Sequence, residues 1–130
     1  MVDDMQKKKV RKDKFESFML ETDIIYFKFY DNQLIEEKDI VQTMDANREL
    51  SKIGEIKRII HGGKHTMITS TARELLERIG LPAVCEAYVI ESPAQKILFR
   101  FFVKLRKPKH PTKAFDSLED ALDWFKTFPN

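Results

Sequence analysis

Residues 91–111 constrain the fold of this chain most, because their apolar side chains fit two different periods. A strand would place alternate residues from Phe99 to Leu105 on one face, whereas a helix would group a different set. The start of the stretch favours the helix, since Ser92 is a natural N-cap, Pro93 suits the first helical position and Gln95 completes an S-x-x-Q capping box. We therefore predict a helix over residues 93–107 that ends before Pro108. Its predicted buried side consists of Ile97, Leu98, Phe101, Phe102 and Leu105.

The other patterns alternate between strand and helix along the chain. Residues 15–30 hold two apolar runs separated by Thr22 and Asp23, which predicts a β-hairpin. Further strands are predicted at residues 56–61, 83–90 and 112–115, and further helices at residues 36–53, at 70–79 and after Asp116. Thr69 or Ser70 is expected to cap the second helix, and Asp116 with Glu119 the last one. This order predicts an α/β domain over residues 15–130, with a mixed, mostly parallel sheet of about five strands, an N-terminal β-hairpin and about four helices.

Residues 1–14 are predicted to form a basic, partly disordered tail. Its Lys and Arg side chains repel one another and bury no apolar surface. The alternative to a solvated arm is a contact with nucleic acid or an anionic membrane, which the absence of interleaved aromatic residues disfavours.

Composition narrows the class of protein. A formal net charge of +2 is too small to indicate a specific nucleic-acid partner. No apolar run reaches the ~18 residues of a membrane span, and the N-terminus lacks the apolar region of a signal peptide. The single cysteine, Cys85, lies in an apolar run and cannot form an internal disulfide. We therefore expect a cytoplasmic protein with Cys85 in its core.

The predicted helix over residues 93–107 carries its cations on one arc. At 100° per residue these are Lys96, Arg100, Lys104 and Lys107. A solvated basic face accounts for this pattern. The functional alternative is a partner-binding edge, in which Phe99 and Val103 on the flank of the helix join the four cations. A second copy of the chain, an acidic protein and a lipid surface are the candidate partners.

The C-terminal part of the chain resembles the signature of small bacterial STAS-like proteins, which are related to the SpoIIAA-like fold of anti-sigma-factor antagonists. The matching residues are Ser92, Phe101, Phe102, Lys104, Lys107, Pro108, Pro111, Thr112, Phe115, Ala121, Leu122 and Trp124. The resemblance extends from about Phe15 to Phe128 and is strongest after Ser92. It implies a SpoIIAA-like fold and a regulatory domain of a largely uncharacterised family.

The same resemblance implies a phosphorylation site before the second helix. Anti-sigma-factor antagonists carry a phosphorylatable hydroxyl in a D-S-[ST]-G context, and Ser70 and Thr71 occupy the two hydroxyl positions here. Thr69 and Ala72 stand where the Asp and Gly of that motif would be. The alternative is that these hydroxyls only cap the helix.

The sequence contains no recognisable catalytic or cofactor motif. His61 and His65 lack the further ligands of a usual metal site, and Gly62-Gly63-Lys64 is not a phosphate-binding loop. We therefore expect no enzyme activity, metal or cofactor. The sequence predicts a regulatory or protein-interaction domain, homodimeric or docked on a protein partner. The alternative is a carrier of a small apolar ligand or lipid, which requires an enclosed apolar pocket of ~300–1,000 Å³.

Overall fold

A computed structural model describes residues 8–51, 55–106 and 108–128, without the side chains of Phe102, Leu105 and Arg106. Its strands are β1 Lys9–Arg11, β2 Phe15–Glu21, β3 Ile24–Phe29, β4 Leu34–Ile35, β5 Lys57–His61, β6 Met67–Ile68, β7 Cys85–Val89 and β8 Thr112–Phe115. Six of them form one sheet in the order β1-β2-β3-β5-β7-β8. The first three pair antiparallel, and β3, β5, β7 and β8 pair parallel. The sheet is thus mixed, as predicted, with an extra edge strand.

Within the described residues, four helices pack on this sheet: α1 Glu37–Leu50, α2 Ser70–Ile79, α3 Pro93–Arg106 and α4 Leu118–Phe125. The structure confirms the predicted α/β class with four helices. The short strands β4 and β6 pair with each other outside the main sheet and lead into α1 and α2.

The edge strand β1 corrects the predicted extent of the tail. Lys9–Arg11 pairs with β2, and Val10 is buried between two charged neighbours. Lys14 is also fixed, because its ammonium donates to Asp39 Oδ2 at 2.8 Å. The prediction of a disordered tail rested on repulsion between its cations and therefore missed this strand. One buried apolar side chain and a paired backbone offset the repulsion of exposed charges. Residues 1–7 of the predicted tail lie outside the described residues.

The alternation of β3 divides the core between the two faces of the sheet. Ile25, Phe27 and Phe29 belong to the cluster packed by α1 and α2. Ile24 and Tyr26 belong to the cluster packed by α4, whose Phe125 is fully buried. The predicted hairpin therefore supplies apolar side chains to both layers of the fold.

Helix ends follow the expected chemistry with one correction. Thr69 caps α2 by accepting from the Ala72 N–H at 3.1 Å, and Gly80 ends the helix in the left-handed conformation. The cap of α4 is Ser117, which accepts from the Asp120 N–H. The predicted cap at Asp116 is therefore wrong. Asp116 instead pairs with Lys96 of α3.

The loop after β5 is held tightly against the chain that follows β3. The Lys64 N–H donates to Asp31 Oδ1 at 2.7 Å, and the Asn32 N–H donates to the Lys64 carbonyl at 2.8 Å. Gly63 is buried so close to the backbone of Tyr30 that a Cβ there would overlap the Tyr30 carbonyl group. Gly63 is thus required by close backbone approach.

Cys85 is fully buried in β7, as the sequence predicts. Burial raises the pKa of its thiol to about 11. At about pH 8 only ~10⁻³ of such a thiol is the reactive thiolate. We expect iodoacetamide to alkylate the native protein at least ~100-fold more slowly than the protein unfolded in guanidinium chloride. Mass spectrometry of timed samples measures both rates, and equal rates would contradict a buried Cys85.

Candidate interaction surface

The N-terminus of α3 forms only half of the predicted capping box. Ser92 Oγ accepts from the Gln95 N–H at 3.4 Å, as expected for an N-cap. The Gln95 side chain does not return to the Ser92 backbone. Its amide donates to the Thr66 carbonyl at 3.4 Å, which attaches the first turn of α3 to the segment before β6.

Further contacts on the same side fix the rotation of α3 about its axis. The Lys96 ammonium pairs with the Asp116 carboxylate. The Phe99 ring packs on Tyr88 of β7 with ring centroids 4.6 Å apart. Val103 is half-buried one turn later. At 100° per residue these positions share one side, so this side of α3 faces the sheet.

The opposite side of α3 is therefore turned away from the protein. Ile97, Leu98 and Phe101 expose 64%, 67% and 63% of their surface. The prediction that these three side chains are buried is wrong. Helical periodicity identifies an apolar side correctly, but it does not say which way the helix rolls on the sheet. The other members of that predicted side, Phe102 and Leu105, have no described side chains.

We define the α3 surface as the apolar side chains of Ile97, Leu98 and Phe101 together with the neighbouring cations Arg100 and Lys104. Both cations are exposed. Contiguous exposed apolar side chains of this size are typical of interaction sites. Of the predicted binding residues, Arg100 and Lys104 lie in this surface, Lys96 is engaged with Asp116, and Lys107 lies outside the described residues.

An open crevice separates α3 from β8. Its volume is about 340 Å³, and its apolar walls include Phe99, Val103 and Ala114. The cationic side chains of Arg100, Lys104 and Lys113 also line it. The structure therefore brings four predicted binding residues, Phe99, Arg100, Val103 and Lys104, around one crevice. Their role in binding stays a prediction.

A second group of exposed apolar side chains, Leu34 and Met67, lies near the start of α3. Leu34 and Met67 are register partners in the small β4–β6 sheet and are 50% and 64% exposed. Met67 follows Thr66, whose carbonyl accepts from Gln95 of α3. The sequence does not reveal this pair, because its two residues are far apart in the chain.

A largely buried polar network lies beneath α3, next to the Tyr88 ring on which Phe99 packs, and no local sequence pattern indicates it. The Arg58 guanidinium donates to Glu86 Oε2 at 2.8 Å and to the Pro82 carbonyl at 3.0 Å. Glu86 Oε1 lies 3.3 Å from both His110 Nε2 and the Tyr88 hydroxyl. Burial acts to raise the pKa of Glu86, but His110 and Arg58 outweigh it and hold that pKa below its ordinary value. Glu86 is thus a largely buried carboxylate that two basic groups keep ionised.

The candidate phosphorylation sites are both accessible. Ser70 and Thr71 are exposed in the first turn of α2. Thr69 accepts the cap hydrogen bond of that helix, and its hydroxyl also lies 3.3 Å from the Thr71 hydroxyl. Thr69 rather than Ser70 is therefore the N-cap, and modification of Ser70 or Thr71 stays a prediction.

His61, at the end of β5, and His65, in the loop that follows, have separate surroundings. His61 Nδ1 lies 2.7 Å from the Tyr26 hydroxyl, and burial, followed by the charge of Lys28, lowers the pKa of His61. His65 lies in the following loop with a positive φ of 61°. Across the described ranges, no group of three or more His, Cys, Asp or Glu side chains is placed to hold a metal ion.

The sequence matches one known domain family over most of its length. The sequence profile of a domain of unknown function, DUF7793, matches residues 18–129. The chain belongs to the DUF7793 family. A search of curated proteins finds no match. Within the part of the chain that the structure describes, no helix is long and apolar enough to cross a membrane.

One solved structure shows the same fold as this DUF7793 member. It is an uncharacterised protein of the DUF3478 family from Shewanella loihica PV-4, with a SpoIIAA-like fold. It is 20% identical, the match covers 91% of this chain and 90% of that one, and the TM-score is 0.57. The SpoIIAA-like fold implied by the sequence resemblance is thereby confirmed. At this identity the likeness concerns the fold alone.

Proposed function

We propose that this DUF7793 chain is a non-enzymatic regulatory domain that docks on a protein, either a second copy or a different partner, through the α3 surface. One observation carries the proposal: the helix is anchored through Gln95, Lys96 and Phe99 and so presents its broad apolar side to solvent. Covering Ile97, Leu98 and Phe101 would contribute roughly 3–6 kcal/mol before the cost of association.

Site-specific photo-crosslinking tests this proposal in cells that produce the protein. A benzoylphenylalanine residue replaces Phe101 in one variant and Val41 of α1 in the control. Val41 is a suitable control because it is also an exposed apolar helical residue, at 47%. We expect position 101 to yield one dominant crosslinked protein, this chain or another, that position 41 does not yield. Identical products at the two positions, or none at position 101, would contradict docking through α3.

We propose in addition that phosphorylation of Ser70 or Thr71 controls the docking. The support is that both hydroxyls are exposed and that Thr66, just before α2, is hydrogen-bonded to α3 through Gln95. A phosphate would add about two negative charges to the first turn of α2. Mass analysis of protein purified from its own source should show the modification at Ser70 or Thr71. Repeated absence across growth conditions counts against the switch.

A carrier of a small ligand is the second candidate. Its site would be the crevice between α3 and β8, which is open, whereas this alternative requires an enclosed pocket. The crevice volume of about 340 Å³ lies at the lower end of the usual range for ligand sites. Native mass spectrometry of the protein from its own source should then detect a bound small molecule. A mass equal to that of the bare chain would count against carriage.

A further inference from the structure

We infer that the partner of the α3 surface is an amphipathic helix of another protein, with carboxylates one turn apart along one flank of its apolar stripe. This inference rests on the proposed docking function and specifies the chemistry of the partner. It comes from the distribution of charge around Ile97, Leu98 and Phe101.

Charge is strongly segregated along this chain. Residues 92–115 contain seven of the 23 Lys and Arg residues and none of the 21 Asp and Glu residues. The remainder of the chain is therefore net acidic, although the whole is close to neutral. The basic segment coincides with α3 and the strand after it, which border the exposed apolar side chains.

The cations of the α3 surface are available for a partner. Lys96 is neutralised by Asp116. Among the described residues, Arg100 and Lys104 form no ion pair, and both are exposed. They lie four residues apart, one turn along the helix, on one flank of the apolar stripe. Two carboxylates with the same one-turn spacing would match them.

The same charges disfavour the two other occupants. Docking of two copies through α3 would bring two basic segments together, and the repulsion opposes that assembly. An amphipathic helix that lies on a membrane usually keeps cations on both borders of its apolar side. Here the two exposed cations of α3 whose side chains the structure describes, Arg100 and Lys104, share one flank.

Fluorescence anisotropy with two synthetic helical peptides tests the inference. Both probes carry the same leucine stripe. One has glutamates one turn apart along a flank, and the other has glutamines there. We expect the full chain to bind the glutamate peptide roughly fivefold more tightly, with a preference that weakens as salt is raised. The double variant Arg100→Ala, Lys104→Ala should lose that preference. The matched control, Arg48→Ala with Lys126→Ala, removes two exposed cations elsewhere and should keep it.

The outcomes separate this inference from the docking proposal. If Leu98→Ser with Phe101→Ser weakens the binding of both peptides equally and no glutamate preference exists, α3 docks a partner but the inferred chemistry is wrong. Binding of neither peptide also overturns the inference. So does α3-dependent binding to phosphatidylglycerol vesicles, or a dimer in sedimentation that Phe101→Ser dissociates. The crosslinking at position 101 tests docking itself, independently of these peptides.

Discussion

Replacing Gly63 with alanine is expected to destabilise the fold by about 4 kcal/mol or more. A Cβ at this position would overlap the carbonyl group of Tyr30 and lie 2.7 Å from the Phe29 carbonyl oxygen. The obstructing atoms are backbone at the end of a central strand, so no side-chain rotation relieves the overlap. Relief requires moving the loop, which breaks the hydrogen bonds that join Lys64 to Asp31 and Asn32.

The neighbouring glycine provides a matched control. A Cβ at Gly62 would meet only the Val89 carbonyl oxygen, at an ordinary 3.8 Å. We expect Gly62→Ala to change the free energy of unfolding by less than about 1 kcal/mol. Urea denaturation followed by circular dichroism compares the two variants. Equal stabilities would show that the loop after β5 does not approach Tyr30 as closely as described.

Replacing Arg58 with methionine is expected to cost about 3–5 kcal/mol at neutral pH. The guanidinium is almost fully buried and donates to Glu86, to Asn47 and to the carbonyls of Leu81 and Pro82. Methionine fills a similar volume but leaves the Glu86 carboxylate without the guanidinium that donates to it at 2.8 Å. Chemical denaturation at pH 7 measures the loss.

A lower pH and a second substitution, Glu86→Gln, should each reduce the loss of stability caused by Arg58→Met. Without Arg58, only His110 opposes the effect of burial, so the pKa of Glu86 is expected to rise and lowering the pH from about 7 to 4 to protonate more of it. The wild type should show the opposite sign, because a carboxylate with a lowered pKa gives stability that is lost as the pH falls through that pKa. Adding Glu86→Gln to Arg58→Met should likewise recover part of the stability. A loss that is independent of pH and of Glu86 would contradict the pairing.

The sequence was sufficient for the four helices and for five of the six strands of the main sheet that the structure describes. Capping residues and the spacing of apolar residues, which changes between periods of 2 and 3.6, predicted α2 at Ser70–Ile79, as observed. The same signals correctly identified residues 93–106 as a helix rather than a strand. These signals are local, and each element carries its own. The edge strand β1 was missed because Val10 alone provides its apolar signal.

The candidate site depends on contacts that no local pattern contains. The roll of α3 is set by Thr66, Asp116 and Tyr88, which lie on three other parts of the chain. A wide apolar arc normally faces the core, so the pattern alone gave the wrong side for Ile97, Leu98 and Phe101. The Arg58–Glu86 pair was missed for a similar reason, since cross-strand register decides which charged residues meet.

The orientation of α3 is tested most directly by comparing the unfolding free energies of Phe99→Ala and Phe101→Ala. We expect a loss of about 2–3 kcal/mol for Phe99→Ala, because its ring packs on Tyr88. For Phe101→Ala, whose side chain is 63% exposed, we expect a change within about 0.5 kcal/mol. A larger loss at Phe101 than at Phe99 would show that the apolar side of α3 is buried in the fold and that the proposed docking surface does not exist.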